Sequence, residues 1–301
     1  MNEENATFCD TWSGLTIDDT VSYINSILLA TANAPCAIFA FFSNLAVIVT
    51  VAKNPSLQRP SNILLCSLAF TDFLTALTAQ PMFIVWRLVL PNSKEPCSNQ
   101  LLIFYLYYIS YVFTAGLSFL NVTIMSFDRQ YAVSKPLVYM AEASKEGAIK
   151  KVTFAGVVWL MFTALNILVL PPFIRGLTIS IWGLLFFVAP PINYVRTWLA
   201  IVHHNRQVAD NVVSSQQLKA VLQREKKVFR DMLIVTMVLF ASLVPGILGS
   251  SIMEHLGYYR ELALFLPWAR TMSLAPSTIN PLIYFVRNEY LRNAFKSMVN
   301  I

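Results

Sequence analysis

The sequence predicts an all-α integral membrane protein, a seven-transmembrane-helix bundle with a short amphipathic eighth helix at the inner leaflet. Of its 301 residues, 56% are hydrophobic and 13% are charged, whereas soluble domains average about 45–50% and about 25%. The length of the apolar runs is the second observation, because roughly 20 helical residues cross a bilayer. Seven segments reach that length, namely 24–51, 61–88, 101–131, 150–171, 177–203, 228–253 and 262–286.

Each segment is predicted to be a helix, because lipid forces every backbone group to bond internally and none of the runs alternates apolar with polar residues. One such run could be a buried helix of a soluble protein, but seven runs separated by short charged loops argue against that alternative. The predicted plan is an extracellular amino-terminal segment at 1–23, a transmembrane domain at 24–286, and a cytoplasmic helix and tail at 287–301.

The basic residues give the orientation. One side of the predicted membrane carries 17 Lys and Arg residues and the other carries 5, and basic loops stay in the cytoplasm. The amino terminus is therefore predicted outside, where Asn5 in Asn5-Ala6-Thr7 is a glycosylation acceptor, and the carboxyl terminus inside. The net charge of +6 is spread over too much apolar sequence to indicate a nucleic-acid partner.

The sequence after the seventh segment predicts a short helix in contact with membrane lipids. Leu291 and Phe295 lie four residues apart and therefore share one face, and Arg292 and Lys296 flank them. Such a helix lies along the inner leaflet. A frayed tail is the alternative.

The four cysteines divide by location. Cys36 and Cys66 fall inside predicted segments and are expected to be small buried hydrophobes. Cys9 and Cys97 lie outside, in an oxidising compartment, so a disulfide, if one forms, should join them. A free Cys97 or a bond between two chains is the alternative.

Asp72 is an ionisable group at bilayer depth, with no basic residue near it in its own segment. Such a group is costly and indicates function. Oxygen-bearing side chains at comparable depth could complete a sodium pocket around it. A water network around a protonated Asp72 is the alternative. The other predicted pocket residues are Asn44, Ser118, Ser277 and Asn280, and Asn121 lies at a similar depth.

The inner rim carries a second set of charges. Asp128 and Arg129 end the third segment, and Glu225 precedes the sixth among basic residues. A guanidinium that can reach two carboxylates suits a contact that is paired in one arrangement and released in another. The alternative is that these charges only anchor helix ends.

A set of residues distributed over the seven segments carries a family resemblance. The types of these residues and their order along the chain resemble the motifs of the rhodopsin-like (class A) G-protein-coupled receptors. The resemblance runs from the first segment to the short terminal helix. The matching positions are Asn44, Asp72, Asp128-Arg129, Pro136, Trp159, Tyr194, Pro245, Asn280-Pro281 and Tyr284.

The resemblance implies a cell-surface receptor of the plasma membrane rather than an enzyme. It would bind an extracellular ligand and activate a heterotrimeric G protein by opening the inner ends of helices five, six and seven. Tyr194 and Tyr284 would move toward Arg129, and proline would let two helices bend. No cofactor is implied beyond an allosteric sodium ion. The activation switch would comprise Asp128, Arg129, Glu225, Tyr194, Tyr284, Asn280, Pro281 and Pro245.

Departures from the family pattern narrow the branch. Gln130 replaces the usual tyrosine, Leu243 replaces the tryptophan two residues before Pro245, and Phe186 occupies the place of the helix-five proline. The second outer loop is short, at 171–176, and contains no cysteine. These features are similar to those of the melanocortin receptors.

The resemblance also restricts the ligand. Tyr111 stands where amine receptors carry an aspartate, which argues against a biogenic amine, and Leu274 stands where opsins carry the retinal lysine. Arg270 and Arg87 could attract an anionic or acidic-peptide group, or could instead extend to lipid headgroups. The predicted ligand pocket comprises Tyr111, Arg270 and Leu243.

Two other classes of membrane protein fit the sequence less well than a receptor does. A zinc-dependent membrane enzyme needs about three converging ligands, but His203 and His204 are predicted cytoplasmic while His255 is extracellular. A transporter or channel is the second rival, and the inverted repeats typical of transporters are not visible.

Overall fold

The computed structural model describes residues 19–89, 97–210, 216–256 and 264–299, and the regular structure in these ranges is helical. A 3₁₀ turn covers Pro55–Leu57 and a π-helical turn covers Thr75–Ala79. The α-helices, numbered in chain order, are α1 (Asp19–Lys53), α2 (Pro60–Leu74), α3 (Gln80–Val89), α4 (Cys97–Ser134), α5 (Pro136–Glu142), α6 (Lys145–Leu168), α7 (Pro172–Asp210), α8 (Gln216–Leu256), α9 (Phe265–Leu274), α10 (Pro276–Arg287) and α11 (Glu289–Val299).

Six helical stretches within the described ranges are long and apolar enough to cross a membrane, which confirms the all-α membrane class. They coincide with the first six predicted segments, whereas the seventh, 262–286, falls on the two shorter helices α9 and α10. The six stretches are Thr20–Lys53, Pro60–Leu88, Ser98–Ser134, Lys145–Leu168, Leu177–His203 and Glu225–Gly249.

Local sequence explains where many helices begin. The Ser144 hydroxyl caps α6 by accepting a hydrogen bond from the backbone N–H of Gly147 at 3.0 Å. Asn288 does the same for α11, accepting from the N–H of Leu291 at 3.1 Å. Proline suits the first helical position because its missing N–H would have no partner there. It opens four helices, at Pro60, Pro136, Pro172 and Pro276.

Two predicted segments are interrupted. Residues 61–88 were expected to form one regular helix, but the π-helical turn Thr75–Ala79 separates α2 from α3. Pro81 follows this turn, and a proline ring clashes with the carbonyl four residues earlier in a regular helix. Residues 262–286 were likewise expected to be continuous, but Ala275 forms a turn before Pro276, with its N–H bonded to the Met272 carbonyl at 3.1 Å.

The short terminal helix is present as α11. Its Leu291 side chain is buried, and the Phe295 ring lies 5.2 Å from that of Phe285. These contacts argue against a frayed tail. Its location on the inner leaflet stays a prediction.

The first helix, α1, begins at Asp19, earlier than the predicted start at residue 24.

The chain divides into two compact units. The first unit packs aromatic residues around Phe83, Trp86 and Tyr107. The first unit comprises Met1–Leu45, Asp72–Thr114 and Val238–Pro281, and the second comprises Ala46–Thr71, Ala115–Met237 and Leu282–Ile301.

Candidate functional site

An ion cluster surrounds Arg129 in the second unit. The guanidinium is 1% exposed and donates hydrogen bonds to the carboxylates of Asp128 and Glu225. Glu225 is 6% exposed, so both members of this pair are withdrawn from water. The contact between Arg129 and Glu225, which their positions at the inner rim predict, thus joins α4 to α8.

Tyr139 completes this cluster, and sequence reasoning missed it. Its hydroxyl accepts a hydrogen bond from Arg129 at 2.9 Å and donates to the Asp128 carboxylate at 3.1 Å. Burial raises the pKa of Tyr139 well above its ordinary value, so the hydroxyl stays protonated at neutral pH. The sequence feature that could have indicated Tyr139 is its position three residues after Pro136, the residue that begins α5.

The two tyrosines of the predicted switch are both buried. The Tyr194 hydroxyl pairs with the Thr236 hydroxyl at 2.8 Å, and its ring centroid lies 5.6 Å from that of Phe229. This places Tyr194 on the α7–α8 contact. Tyr284 is buried in α10.

The two switch prolines lie inside helices. Pro245 is in α8 and Pro281 is in α10, and each removes one backbone donor from its helix. Both helices continue past the proline. These positions are suited to bending, and a role as hinges stays a prediction.

Asp72 lies in the first unit and is 3% exposed. Its carboxylate accepts a hydrogen bond from the Asn280 side chain at 2.8 Å. The Asn44 amide donates to the Ser277 carbonyl at 2.8 Å. Ser277 donates to the Leu274 carbonyl at 2.6 Å, which satisfies its hydroxyl hydrogen.

Three buried amide oxygens of the first unit have no hydrogen-bond partner among the described residues. They are Asn44 Oδ1, Asn280 Oδ1 and Gln80 Oε1. Buried acceptors are normally satisfied by protein, water or an ion. With the Asp72 carboxylate they form the type of oxygen-donor set that hard cations prefer, so the residues present fit a sodium ion.

Ser118, the remaining residue of the predicted sodium pocket, belongs to the second unit and is buried there. Asn121 in the same unit donates to the Thr71 hydroxyl at 2.9 Å and accepts from the Ser67 hydroxyl at 2.7 Å. The structure therefore explains Asn121 by local hydrogen bonds, a role that its depth alone did not indicate.

The predicted ligand-pocket residues lie in the first unit. The Tyr111 hydroxyl donates to the Ser273 hydroxyl at 3.2 Å, and Leu243 is buried. The Arg270 guanidinium lies 5.3 Å from the centroid of the Trp86 ring.

Arg87 contradicts one of the two alternatives left open for it. An arginine that extends to lipid headgroups keeps its guanidinium exposed, but Arg87 is 4% exposed and lies 5.6 Å from the centroid of the Trp86 ring. It points into the protein because Trp86 and the Ser26 hydroxyl, at 3.2 Å, offer contacts there.

The predicted outer features fall outside what the structure describes. Asn5 and Cys9 precede residue 19, and the side chain of Cys97 is not described. The glycosylation and the Cys9–Cys97 disulfide stay predictions. Cys36 and Cys66 are free thiols.

Comparisons with known proteins agree with this arrangement. The profile of the seven-transmembrane receptors of the rhodopsin family matches residues 43–179. Trace amine-associated receptor 7e of Rattus norvegicus is 25% identical over 293 residues, covering 87% of this chain and 79% of the relative. Together with the fold described below, these matches support a rhodopsin-like (class A) receptor. A second similar protein, trace amine-associated receptor 4 of Mus musculus, is 23% identical over 87% of this receptor and 82% of its own length.

Squid rhodopsin shares the fold of this receptor. The two structures superpose with a TM-score of 0.77 at 18% identity, covering 94% of this receptor and 87% of the rhodopsin chain. The receptor is therefore a multi-pass plasma-membrane protein that acts through G proteins with an extracellular ligand, and it is not an enzyme.

Proposed function

We propose that the receptor is a seven-helix bundle with an extracellular amino terminus and a cytoplasmic carboxyl terminus, with α11 on the inner leaflet. Ligand binding on the outer side opens the inner ends of the fifth, sixth and seventh spans to a heterotrimeric G protein. The observation that carries the proposal is the buried ion cluster of Arg129, Asp128 and Glu225, which ties α4 to α8.

The cluster acts as a lock in this mechanism. The inner end of α8 moves away from α4 only when the contact between Arg129 and Glu225 breaks. The freed guanidinium then needs new partners, because an unpaired buried charge is costly. The hydroxyls of Tyr194 and Tyr284 would supply them, and Pro245 and Pro281 would let the helices bend.

The space beside the lock suits a docking element. A cavity of about 300 Å³ is lined by Arg129, Tyr139 and Glu225, together with Arg59 and Met140. Widening of this cavity by outward movement of α8 would admit the carboxyl-terminal helix of a Gα subunit.

The test is basal nucleotide exchange on purified Gα proteins by membranes carrying the Glu225→Gln receptor. The amide removes the charge of Glu225 and keeps its shape, which weakens the contact with Arg129. Basal exchange should therefore rise about 5-fold or more, the change that corresponds to a typical coupling free energy between two states. Glu142→Gln is the matched control, because Glu142 accepts a hydrogen bond from the exposed Tyr131 hydroxyl. Unchanged exchange in Glu225→Gln at equal surface expression contradicts the lock.

We propose further that Asp72, Asn44, Ser277 and Asn280 hold a sodium ion that favours the closed arrangement. The support is the buried carboxylate and the amide oxygens that have no hydrogen-bond partner in the part of the chain that the structure describes. The purified receptor should melt at a higher temperature in sodium chloride than in potassium chloride of equal ionic strength. Asp72→Asn should abolish this difference, and equal sodium dependence in both proteins rules the ion out.

The class of ligand is inferred from residues of the first unit and not from the names of the relatives. Those relatives are named for trace amines, but Tyr111, at the position of the amine-binding aspartate, bonds to Ser273. The proposed ligand is accordingly neither an amine nor retinal.

A further inference from the structure

Two arginines of the first unit contact one tryptophan. The guanidinium carbons of Arg87 and Arg270 lie 5.6 and 5.3 Å from the centroid of the Trp86 ring, within the range of cation–π attraction. Cation–π contacts of this kind typically contribute about 0.5–2 kcal/mol. The two positive charges also repel each other.

Burial makes this arrangement costly. Arg87 is 4% exposed, and its Nε–H has no hydrogen-bond partner among the described residues. A buried cation normally has a carboxylate beside it. Asp72 is the sole carboxylate among the first-unit side chains that the structure describes, and it is bonded to Asn280.

We infer that Arg87 and Arg270 bind the oxyanion of a small organic ligand, a carboxylate or a phosphate monoester with an apolar body. Guanidinium forks match both groups in two-point hydrogen bonds. Arg270 is partly exposed and provides the approach to the buried Arg87. This inference rests on the proposed function in taking the first unit as the ligand-binding half.

The aromatic cluster around Trp86 suits the apolar body. The rings of Phe83, Phe104 and Tyr107 lie 6.1, 5.2 and 5.3 Å from that of Trp86, measured between centroids. The Tyr107 ring stacks on the indole with an interplanar angle of 10°. Phe83, Trp86 and Tyr107 are at most 2% exposed, so the apolar part would pack on the partly buried rings of Phe104 and Tyr111 while the anion relieves the repulsion between the arginines.

Charge-selective modification tests the site without knowledge of the ligand. Ser273 donates a hydrogen bond to the backbone carbonyl of Arg270, so a Ser273→Cys receptor places a thiol one helical turn from Arg270. Anionic and cationic methanethiosulfonate reagents are compared, with the unmutated receptor giving the background from Cys36 and Cys66. The anionic reagent should react roughly tenfold faster or more.

Neutralising the arginines shows whether the preference for the anionic reagent comes from the charges of Arg87 and Arg270. The preference for the anionic reagent should fall in Arg270→Gln and again when Arg87→Gln is added, but not in Arg196→Gln, which changes an exposed arginine of the second unit. Equal rates for the two reagents, or a cation preference, overturn the inference. They would show that a carboxylate elsewhere in the chain neutralises the arginines.

Thermal stability identifies the anion. The probes are 3-phenylpropionate, phenyl phosphate and the neutral 3-phenylpropanamide, each added to purified receptor. One anion should raise the melting temperature while the amide should not, and Arg270→Gln should abolish the effect. Stabilisation by the amide alone, or by none of the three, overturns the inference. Neither experiment uses a G protein, so failure of G-protein coupling would not affect either result.

Discussion

The two units of the receptor each bury an arginine, and they treat it differently. In the second unit Arg129 has two carboxylates and the Tyr139 hydroxyl as partners. In the first unit Arg87 has a hydroxyl, the Trp86 ring and a second cation, Arg270. A charge satisfied within the protein can lock a structure, whereas Arg87, which has no carboxylate partner among the described residues, suits the proposed oxyanion site.

The largest expected effect is a difference in stability between two variants that carry the same substitution, Arg129→Gln and Arg87→Gln. Arg129→Gln leaves Asp128 and Glu225 buried without their cation and should cost about 3–5 kcal/mol of stability. Arg87→Gln removes a charge that is repelled by Arg270 and should leave the melting temperature unchanged or raise it. Thermal unfolding of both purified variants gives the comparison. An equally large loss in Arg87→Gln would show that Arg87 has a carboxylate partner.

The two units also differ in how they surround a tryptophan. In the first unit, the Trp86 ring contacts the guanidinium groups of two arginines. In the second unit, Trp159 packs against the rings of Phe162 and Phe186 and against Gly116. A Cβ added at Gly116 would lie 1.8 Å from the Trp159 ring, which cannot yield as a flexible side chain would.

Gly116→Ala should therefore destabilise the receptor by about 3 kcal/mol, as overpacked cores do. Gly156→Ala is the control in the same unit, because a Cβ there meets nothing within 4 Å. That change should add about 0.5–1 kcal/mol through the lower chain entropy of alanine. Similar melting temperatures for the two variants would mean that the contact of α4 with α6 is looser than described.

Tyr139→Phe sharpens the comparison within the ion cluster. The change removes one hydroxyl bonded to two charged groups and should cost about 1.5–3 kcal/mol. Because burial raises the pKa of Tyr139 above its ordinary 10.0, the loss should not vary with pH through the neutral range.

Tyr131→Phe is the control for this change, since Tyr131 bonds to Glu142 at the exposed surface and should alter nothing measurable. Thermal unfolding at several pH values checks both variants. A Tyr139→Phe receptor as stable as its parent would remove Tyr139 from the cluster.

The smallest effect belongs to a partly exposed ion pair. Arg287 bonds to Asp231 in the second unit, with 27% and 24% of the two side chains exposed. Exposed pairs contribute under about 1 kcal/mol, so Asp231→Asn should shift the melting temperature little, and less at high salt. A loss comparable to that of Arg129→Gln would show that exposure does not separate the two pairs.

The sequence alone determined the helices and the residues that are costly in a membrane. Hydropathy and length predicted six spans that the structure contains, since each depends on local composition. The order of the motifs predicted the family. The placement of Arg129 and Glu225 at the inner ends of two predicted segments indicated that they could meet, with anchoring of the helix ends as the alternative, and the structure shows the pair in contact.

Tertiary structure decided which partners each of these groups has. The third partner of Arg129, Tyr139, comes from the short helix α5, and the burial of Arg87 depends on Trp86 and on Ser26 of another helix. The turns at Thr75–Ala79 and Ala275 likewise follow from how proline is accommodated in a packed helix. Such contacts join residues far apart in the chain, and hydropathy carries no information about which side chains packing brings together.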